Sequence, residues 1–284
     1  MKKWLIVLGT VCVSFSAIFV RVSSAPSLIL AFYRVLFAAF LLLPFVLIKS
    51  REEVRKMSKK DLLLCGCSGL FLGLHFTLYF ESLKYTSIAS SVVLVDTEVF
   101  FVAAAMYLID REKISKKGMI GIVAAFAGSV MIALADMGSA SSELFGDFLA
   151  LVGSFCMAVY TMIGRKCRNH MSTSVYTFFV YGAAAVTVAA GALIGGIPFT
   201  GYAVKDYTAA FGMTIFCTIL GHSVYSWGLK YIQASFVSTV KLLEPLFASI
   251  LGFLIFGEIP GVLVIIGGVI VISGILYYSR HIFR

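Results

Sequence analysis

Ten long runs of apolar residues follow one another along the chain, with short polar connections between them. A helix that crosses the hydrocarbon core of a bilayer needs about 20 mostly apolar residues, and each run supplies one such stretch. The predicted spans are residues 4–22, 27–48, 62–83, 87–109, 118–136, 146–165, 173–196, 207–229, 233–256 and 260–279. We therefore predict an all-α integral membrane protein with ten transmembrane helices.

The composition agrees with this prediction. Of the 284 residues, 60% are hydrophobic and 13% are charged, whereas charged residues make up about 25% of an ordinary soluble domain. A transmembrane β-barrel is a poor alternative, because its strands alternate apolar and polar residues and these runs are apolar on every side. No room remains for a soluble domain, and the lipid bilayer surrounds most of the predicted structure.

The net charge of +9 is spread over alternate loops instead of forming one basic patch. One set of chain ends and loops holds most of the lysines and arginines, at residues 2–3, 49–60, 111–117, 165–168, 230, 280 and 284. The opposite set holds only Arg21, Lys84 and Lys205. By the positive-inside rule, both termini are cytoplasmic and the number of spans is even. The charge therefore indicates orientation, and nucleic acid is not a predicted partner.

The second half of the chain repeats the first. A shift of 146 positions aligns the third to fifth spans with the eighth to tenth without a gap, and a shift of 144 places Arg21 on Arg165. The matched polar and glycine pairs include Tyr79 with Tyr225, Glu98 with Glu244, Glu112 with Glu258, Gly121 with Gly267 and Gly128 with Gly274. A unit of five spans ends on the side opposite to its start, so its second copy is inserted upside down. We expect two inverted five-helix repeats, residues 1–137 and 138–284.

Two other features of the sequence carry less weight. Residues 1–25 resemble a cleavable signal peptide, but the repeat makes the first span one half of a matched pair, so we expect it to be retained. The six cysteines include no CxxC pair, and we predict no disulfide framework, no metal site and no cofactor.

The ninth and tenth spans resemble those of a known family. The block Lys241–Tyr277 carries Glu244-Pro245, then Gly257-Glu258, then Gly267-Gly268 in a glycine-rich helix. With Arg34 in the second span and two five-helix units, the chain resembles the EamA-type, ten-span exporters of the drug/metabolite transporter superfamily. The resemblance implies their fold and their mode of transport, with amino acids and related metabolites as substrates. Where the family commonly has a proline in the fourth span, this chain has Val99.

Five charged residues lie well inside predicted spans, away from their ends: Arg34, Asp96, Glu98, Lys241 and Glu244. Each would cost about 2.5–3.5 kcal/mol at the bilayer centre if it faced lipid, so we expect them to face each other or a polar cavity. Lys241 and Glu244 are three apart and within pairing reach on one helical face. Asp96 and Glu98 are about 200° apart around a helix, and Glu98, matched by Glu244, is the better candidate for the central site.

Pro245 interrupts the ninth span. Proline lacks a backbone N–H and clashes with the preceding turn, and inside a membrane such a break persists only beside protein or water. We expect Pro245 to act as a helix hinge, with Lys241 and Glu244 on the path of a substrate. The alternative is that Lys241 and Glu244 form a static ion pair beside a tolerated kink. For Arg34, a structural role in holding helices together is as well supported as a role in transport.

Further candidates for the pathway are histidines and aromatic residues. His75 and His222 occupy nearly equivalent places in the two repeats, and an imidazole can relay protons, although a buried histidine bonded to a carbonyl is commoner. Tyr79, Tyr225 and Trp227 either line a cavity, where aromatic faces hold cationic groups, or belong to the interfacial aromatic belt.

These features indicate a secondary transporter in the bacterial plasma membrane that exports small metabolites, amino acids first, by alternating access, with possible exchange of protons. A flippase for a lipid-linked precursor is the alternative. A membrane-embedded transferase is less favoured, because neither HExxH nor a dense array of aspartates appears. We do not expect an enzyme, and the sequence leaves open a monomer or a homodimer.

Overall fold

The computed structural model describes residues 2–86, 88–135 and 144–281. In this part of the chain ten helices are long and apolar enough to cross a membrane. Their bounds are Lys2–Val22, Ser27–Lys49, Lys59–Ser82, Ser91–Leu108, Lys116–Ala135, Leu144–Arg168, Thr173–Ile194, Val204–Gly228, Ala234–Phe256 and Val262–His281. The all-helical fold with ten spans is confirmed. The predicted boundary between the repeats, at residues 137 and 138, lies outside the described residues.

The helix starts follow ordinary capping chemistry. The Ser58 hydroxyl accepts a hydrogen bond from the backbone N–H of Asp61, and the Asp61 carboxylate accepts one from the backbone N–H of Ser58. This capping box starts the third span because it satisfies two backbone donors that a helix leaves free. The second and third spans are joined by a short helix, Arg51–Lys56, that the sequence analysis did not predict.

The fourth and ninth spans are each broken in the middle. The fourth consists of the helices Ile88–Asp96 and Glu98–Leu108, and the ninth consists of Ala234–Lys241 and Glu244–Phe256. Under the 146-residue shift the second halves begin at equivalent residues. The break in the ninth span lies just before Pro245, which has no N–H to bond the preceding turn.

The fourth span breaks without a proline. The Thr97 hydroxyl donates to the Leu94 carbonyl at 2.5 Å, and the Ser154 hydroxyl of the sixth span donates to the Val95 carbonyl at 3.0 Å. These side-chain bonds satisfy carbonyls near the break, as buried backbone groups require. The valine that replaces the family's proline therefore does not remove the break.

The interfaces between spans reflect the inverted repeat. The third span packs against the sixth and the first packs against the eighth, which are equivalent interfaces under the repeat. The second packs against the seventh and the fifth against the tenth, so each of these spans meets its own counterpart. The two five-helix units thus interlock, and the broken spans lie next to the first and sixth spans.

Glycines allow the fifth and tenth spans to approach each other closely. A Cβ atom on Gly128 would lie 2.6 Å from the Gly267 carbonyl oxygen and 2.7 Å from the Val271 nitrogen. Gly274, the counterpart of Gly128, would place a Cβ at 2.5 Å from the Ala125 nitrogen. Such small residues at helix crossings bring backbones together in membrane proteins.

We expect Gly128→Ala to lower the thermal unfolding temperature of the detergent-solubilised protein, because the added methyl meets backbone atoms that cannot move without separating the helices. Gly182→Ala is the matched control, since nothing lies within 4 Å of a Cβ at that helical position. In this control, replacing glycine by alanine stabilises the helix by up to about 1 kcal/mol, because alanine has the higher helix propensity. Equal unfolding temperatures for the two variants would contradict the proposed role of the glycine contact.

Candidate functional site

Both broken spans place a glutamate at the start of a half-helix near the middle of the bilayer. Glu98 begins Glu98–Leu108, and Glu244 begins Glu244–Phe256. The first turn of a helix carries a partial positive charge, which stabilises a carboxylate at this position. The two glutamates are therefore related by the repeat and have the same position in their half-helices, but their partners and exposure differ.

Glu98 is held in an ion pair with Lys241. The Lys241 amino group donates to both carboxylate oxygens, at 3.1 and 3.0 Å. Thr161 and Ser238 donate to the same carboxylate at 2.9 and 3.0 Å. Glu98 and Lys241 are only 5% and 8% exposed, so the pair is enclosed by protein and joins the two repeats.

This arrangement corrects the expected pairing of Lys241 with Glu244. The ninth span is interrupted between these residues, at Leu242 and Leu243, whose backbone N–H groups donate to the carbonyls of Thr239 and Val240, three residues earlier. Lys241 instead reaches across to the fourth span. The sequence separation of three predicted a neighbour on the same helix and gave no information on partners from other helices.

Glu244 is partly exposed and has hydroxyl partners. The Tyr225 hydroxyl lies within hydrogen-bonding distance of its carboxylate, at 3.1 Å, and of the Thr10 hydroxyl, at 3.0 Å. The Ser14 hydroxyl lies 3.2 Å from the Glu244 carbonyl oxygen and 2.9 Å from the Thr10 carbonyl oxygen, so it connects the first span with the start of this half-helix. In the described part of the chain Glu244 makes no ion pair, in contrast to Glu98.

Asp96 lies on the other half of the fourth span and is also partly exposed. Its carboxylate accepts a hydrogen bond of 2.5 Å from Ser129 of the fifth span. Asp96 and Glu98 have separate partners, and the helix in which they were predicted to lie about 200° apart is broken between them.

Arg34 and His222 form a second polar group, on the second and eighth spans. The Arg34 guanidinium donates from Nε to the Thr218 hydroxyl at 3.0 Å and lies 4.8 Å from the centre of the Phe76 ring. The His222 ring packs edge-on against the same Phe76, with the ring centres 5.8 Å apart. The part of the eighth span that holds this group, Thr214–His222, is a π-helix, a conformation that is frequent at functional sites.

His75 and Tyr79 belong to the third span. The His75 Nδ1 atom lies 3.0 Å from the Gly153 carbonyl oxygen, the ordinary arrangement of a buried histidine. The ring of Tyr79, which is partly exposed, lies parallel to that of His75 at 6.3 Å between centres. Trp227 packs on Tyr231, with 5.0 Å between the ring centres, and takes no part in the contacts of the charged residues described above.

The two halves of the ninth span differ in burial. All eight residues of Ala234–Lys241 are buried, whereas in Glu244–Phe256 only Gly252 is buried. We define the basic end of the bundle as the end that carries residues 2–3, 49–60 and 110–117. The buried half runs from the basic end to Lys241, so protein encloses that end of the span more completely than the other.

An ion pair at the basic end connects the two repeats. Arg165, at the end of the sixth span, pairs with Glu112 and lies 3.6 Å from Asp110, both in the loop after the fourth span. The Arg165 side chain is 20% exposed.

The opposite end carries the counterpart of this contact. Arg21 pairs with Glu258, and the guanidinium also lies 4.2 Å from the centre of the Phe256 ring. The shifts of 144 and 146 place Arg21 on Arg165 and Glu258 on Glu112. Both side chains of the Arg21 pair are 53% exposed. The repeat thus puts one arginine–glutamate pair at each end, and the pair at the basic end is the more buried.

Several of these features were not predicted from the sequence. The hydroxyl partners Thr161, Ser238, Ser129 and Thr218 are common residues in membrane helices and gave no signal of their own. The matches of Arg21 with Arg165 and of Glu112 with Glu258 were visible in the repeat, but only the structure shows that these residues pair with one another.

The fold, the inverted repeat and the charged residues at its centre define a ten-helix membrane transporter. The sequence profile of the EamA-like transporter family matches the chain twice, over residues 2–134 and 144–280. The chain therefore belongs to the EamA-like transporter family, as its resemblance predicted.

Proteins of known sequence agree with this assignment. An uncharacterized transporter of Archaeoglobus fulgidus is 29% identical over 255 residues, which is 87% of this chain and 85% of that protein. An uncharacterized transporter of Clostridium kluyveri is 28% identical over 256 residues, or 87% of this chain and 81% of that protein. A solved crystal structure aligns with 100% of this chain and 98% of its own at a TM-score of 0.82 and 14% identity, which shows a shared fold.

Proposed function

We propose that this protein is a secondary-active transporter that exports small metabolites, amino acids and related compounds first, by alternating access. In this proposal the two units are residues 1–137 and 138–284, both termini lie in the cytoplasm of a bacterial cell, and the protein spans the plasma membrane. The protein moves its substrate without converting it. The observation that carries the proposal is the group of charged side chains, Asp96, Glu98, Lys241 and Glu244, at the breaks of two inverted, equivalent helices.

The cost of charge in a bilayer supports a water-filled path at this place. Glu244 and Asp96 are partly exposed and make no ion pair in the described part of the chain. A carboxylate exposed to lipid at this depth is costly, so the accessible faces of these side chains point to water or substrate. When the basic end is placed in the cytoplasm, the enclosed half of the ninth span closes the cytoplasmic side of the site. This conformation is then open to the outside.

The two arginine–glutamate pairs supply gates for alternating access. In a transporter built from inverted repeats, each unit adopts the conformation of the other when the site changes sides. The less exposed pair of Arg165 and Glu112 would then open, and the more exposed pair of Arg21 and Glu258 would close. Breaking the first pair therefore favours the conformation open to the cytoplasm.

Glu244 is the proposed site of proton exchange. Glu98 is neutralised by Lys241 at 3.0 Å, whereas the position equivalent to Lys241 in the first repeat is Val95, so Glu244 has no matching cation. A proton can neutralise Glu244 when substrate leaves, and binding of a cationic group of the substrate can displace that proton. Net export then draws on the proton gradient.

We expect proteoliposomes with the purified protein to take up labelled amino acids in exchange for protons. Glu244→Gln should lower the initial rate by about 10-fold or more, equivalent to 1.4 kcal/mol, and remove the dependence on an imposed pH gradient. Glu81→Gln, at a carboxylate that pairs with Lys84 at 2.7 Å, is the control and should retain both.

Two outcomes would contradict this proposal. Normal pH-dependent transport by Glu244→Gln would exclude Glu244 as the proton site. In the second outcome, the protein transports no amino acid, shows no competition between amino acids and moves a fluorescent lipid between leaflets. That result would replace the proposed export function with flipping of a lipid-linked substrate.

The gate is tested by charge reversal. We expect Arg165→Glu to increase the rate at which a charged thiol reagent labels Ser238→Cys from the cytoplasmic side, in a background without other cysteines. Loss of a contact of one to two kcal/mol shifts a conformational equilibrium about 5–30-fold. The reversed pair, Arg165→Glu with Glu112→Arg, should restore slow labelling. Equal labelling rates in all three proteins would show that this ion pair is not a gate.

A further inference from the structure

Arg34 is a buried cation with unused hydrogen-bonding capacity. Its side chain is 3% exposed, and its Nε donates to Thr218. The Nη2 atom is buried and has no hydrogen-bond partner among the described residues. No acidic side chain in that part of the chain forms an ion pair with the guanidinium. An unpaired charge in a protein interior within a membrane carries a large desolvation cost.

His222 has a similar unsatisfied group. It is 6% exposed, and its Nδ1 atom is buried without a hydrogen-bond partner in the described structure. Arg34 and His222 both pack against Phe76, and Thr218, which binds Arg34, lies one turn before His222 in the π-helix. Two unsatisfied polar groups on different spans therefore lie at one place, and buried polar groups without partners call for an explanation.

The acids near the centre have other partners. Glu98 binds Lys241, and Glu244 accepts a hydrogen bond from Tyr225. The His222 ring packs edge-on against Tyr225, with 5.9 Å between ring centres, so the group around Arg34 is continuous with the proposed transport site.

We propose that Arg34 and His222 bind the carboxylate of the transported substrate. The planar guanidinium matches a carboxylate because its N–H groups donate two parallel hydrogen bonds, and the imidazole supplies a third polar partner. One arginine provides one positive charge, which balances a carboxylate but not a phosphate dianion. This inference rests on the transport function proposed above and narrows its substrates to compounds with a free carboxylate.

The position of Glu244 extends the substrate class to zwitterions. Tyr225 contacts both His222 and Glu244, so the proposed carboxylate site and Glu244 border the same tyrosine. An α-amino acid carries both groups, and its ammonium group is the cation that displaces the proton from Glu244.

The test uses the intact protein in proteoliposomes and twenty labelled L-amino acids. For each amino acid that is transported, three unlabelled analogues compete: the amide, the decarboxylated amine and the aminophosphonate. We expect the free acid to compete best and the amide and amine to be at least about 10-fold weaker, the effect of losing hydrogen bonds to a charged group. This comparison needs no variant and does not depend on whether an altered protein folds.

Variants provide the second arm. Arg34→Gln should raise the KM for the acid by at least about 10-fold and bring the acid and its amide to similar potency, with His222→Gln acting in the same direction. Arg51→Gln, in the exposed helix Arg51–Lys56, is the control and should behave as the wild type. Retained preference for the acid in Arg34→Gln would overturn the assignment.

The remaining outcomes separate this inference from the function on which it rests. Transport of amino acids with equal competition by acid and amide overturns the carboxylate site and leaves the transporter intact. Stronger competition by the aminophosphonate overturns the choice of carboxylate. Absence of transport for all twenty amino acids overturns both proposals.

Discussion

The ion pair between Lys241 and Glu98 is the interaction on which the centre of this protein depends. Two opposite charges lie in the interior of a membrane protein, enclosed and bonded to one another and to hydroxyl groups. Neither charge is tolerable alone at this depth, because removal of one partner leaves the other buried and uncompensated. The pair therefore fixes the fourth and ninth spans against each other at the places where both are broken.

A single asymmetry in the repeat gives the two glutamates different properties. Each begins a half-helix at an equivalent place, but the first repeat has Val95 where the second has Lys241. Lys241 therefore serves the glutamate of the other repeat, and Glu244 is left with hydroxyl partners only in the described part of the chain. In the proposed function, Glu98 is structural and Glu244 exchanges a proton or binds a cation. This proposed division of roles follows from the presence of Lys241 in the second repeat and Val95 in the first.

The sequence predicted the ten spans and which charged residues lie within them. Both predictions use only local properties, the length of an apolar run and the cost of placing a charge in it. It did not predict the partners. Helical spacing suggested Lys241 with Glu244, whereas Lys241 forms its ion pair with Glu98 of the fourth span. The break in the fourth span depends on hydroxyls of Thr97 and Ser154, and no proline marks it. Tertiary contacts of this kind require the packed helices.

A double-mutant cycle on Glu98 and Lys241 tests the central claim most directly. The quantity measured is the free energy of unfolding of the detergent-solubilised wild type, Glu98→Gln, Lys241→Met and the double variant. We expect each single variant to lose about 3–5 kcal/mol, because one charge remains buried without a partner, and the double variant to lose much less than the sum. Additive losses would show that the two charges do not depend on each other, and the account of the site would be wrong.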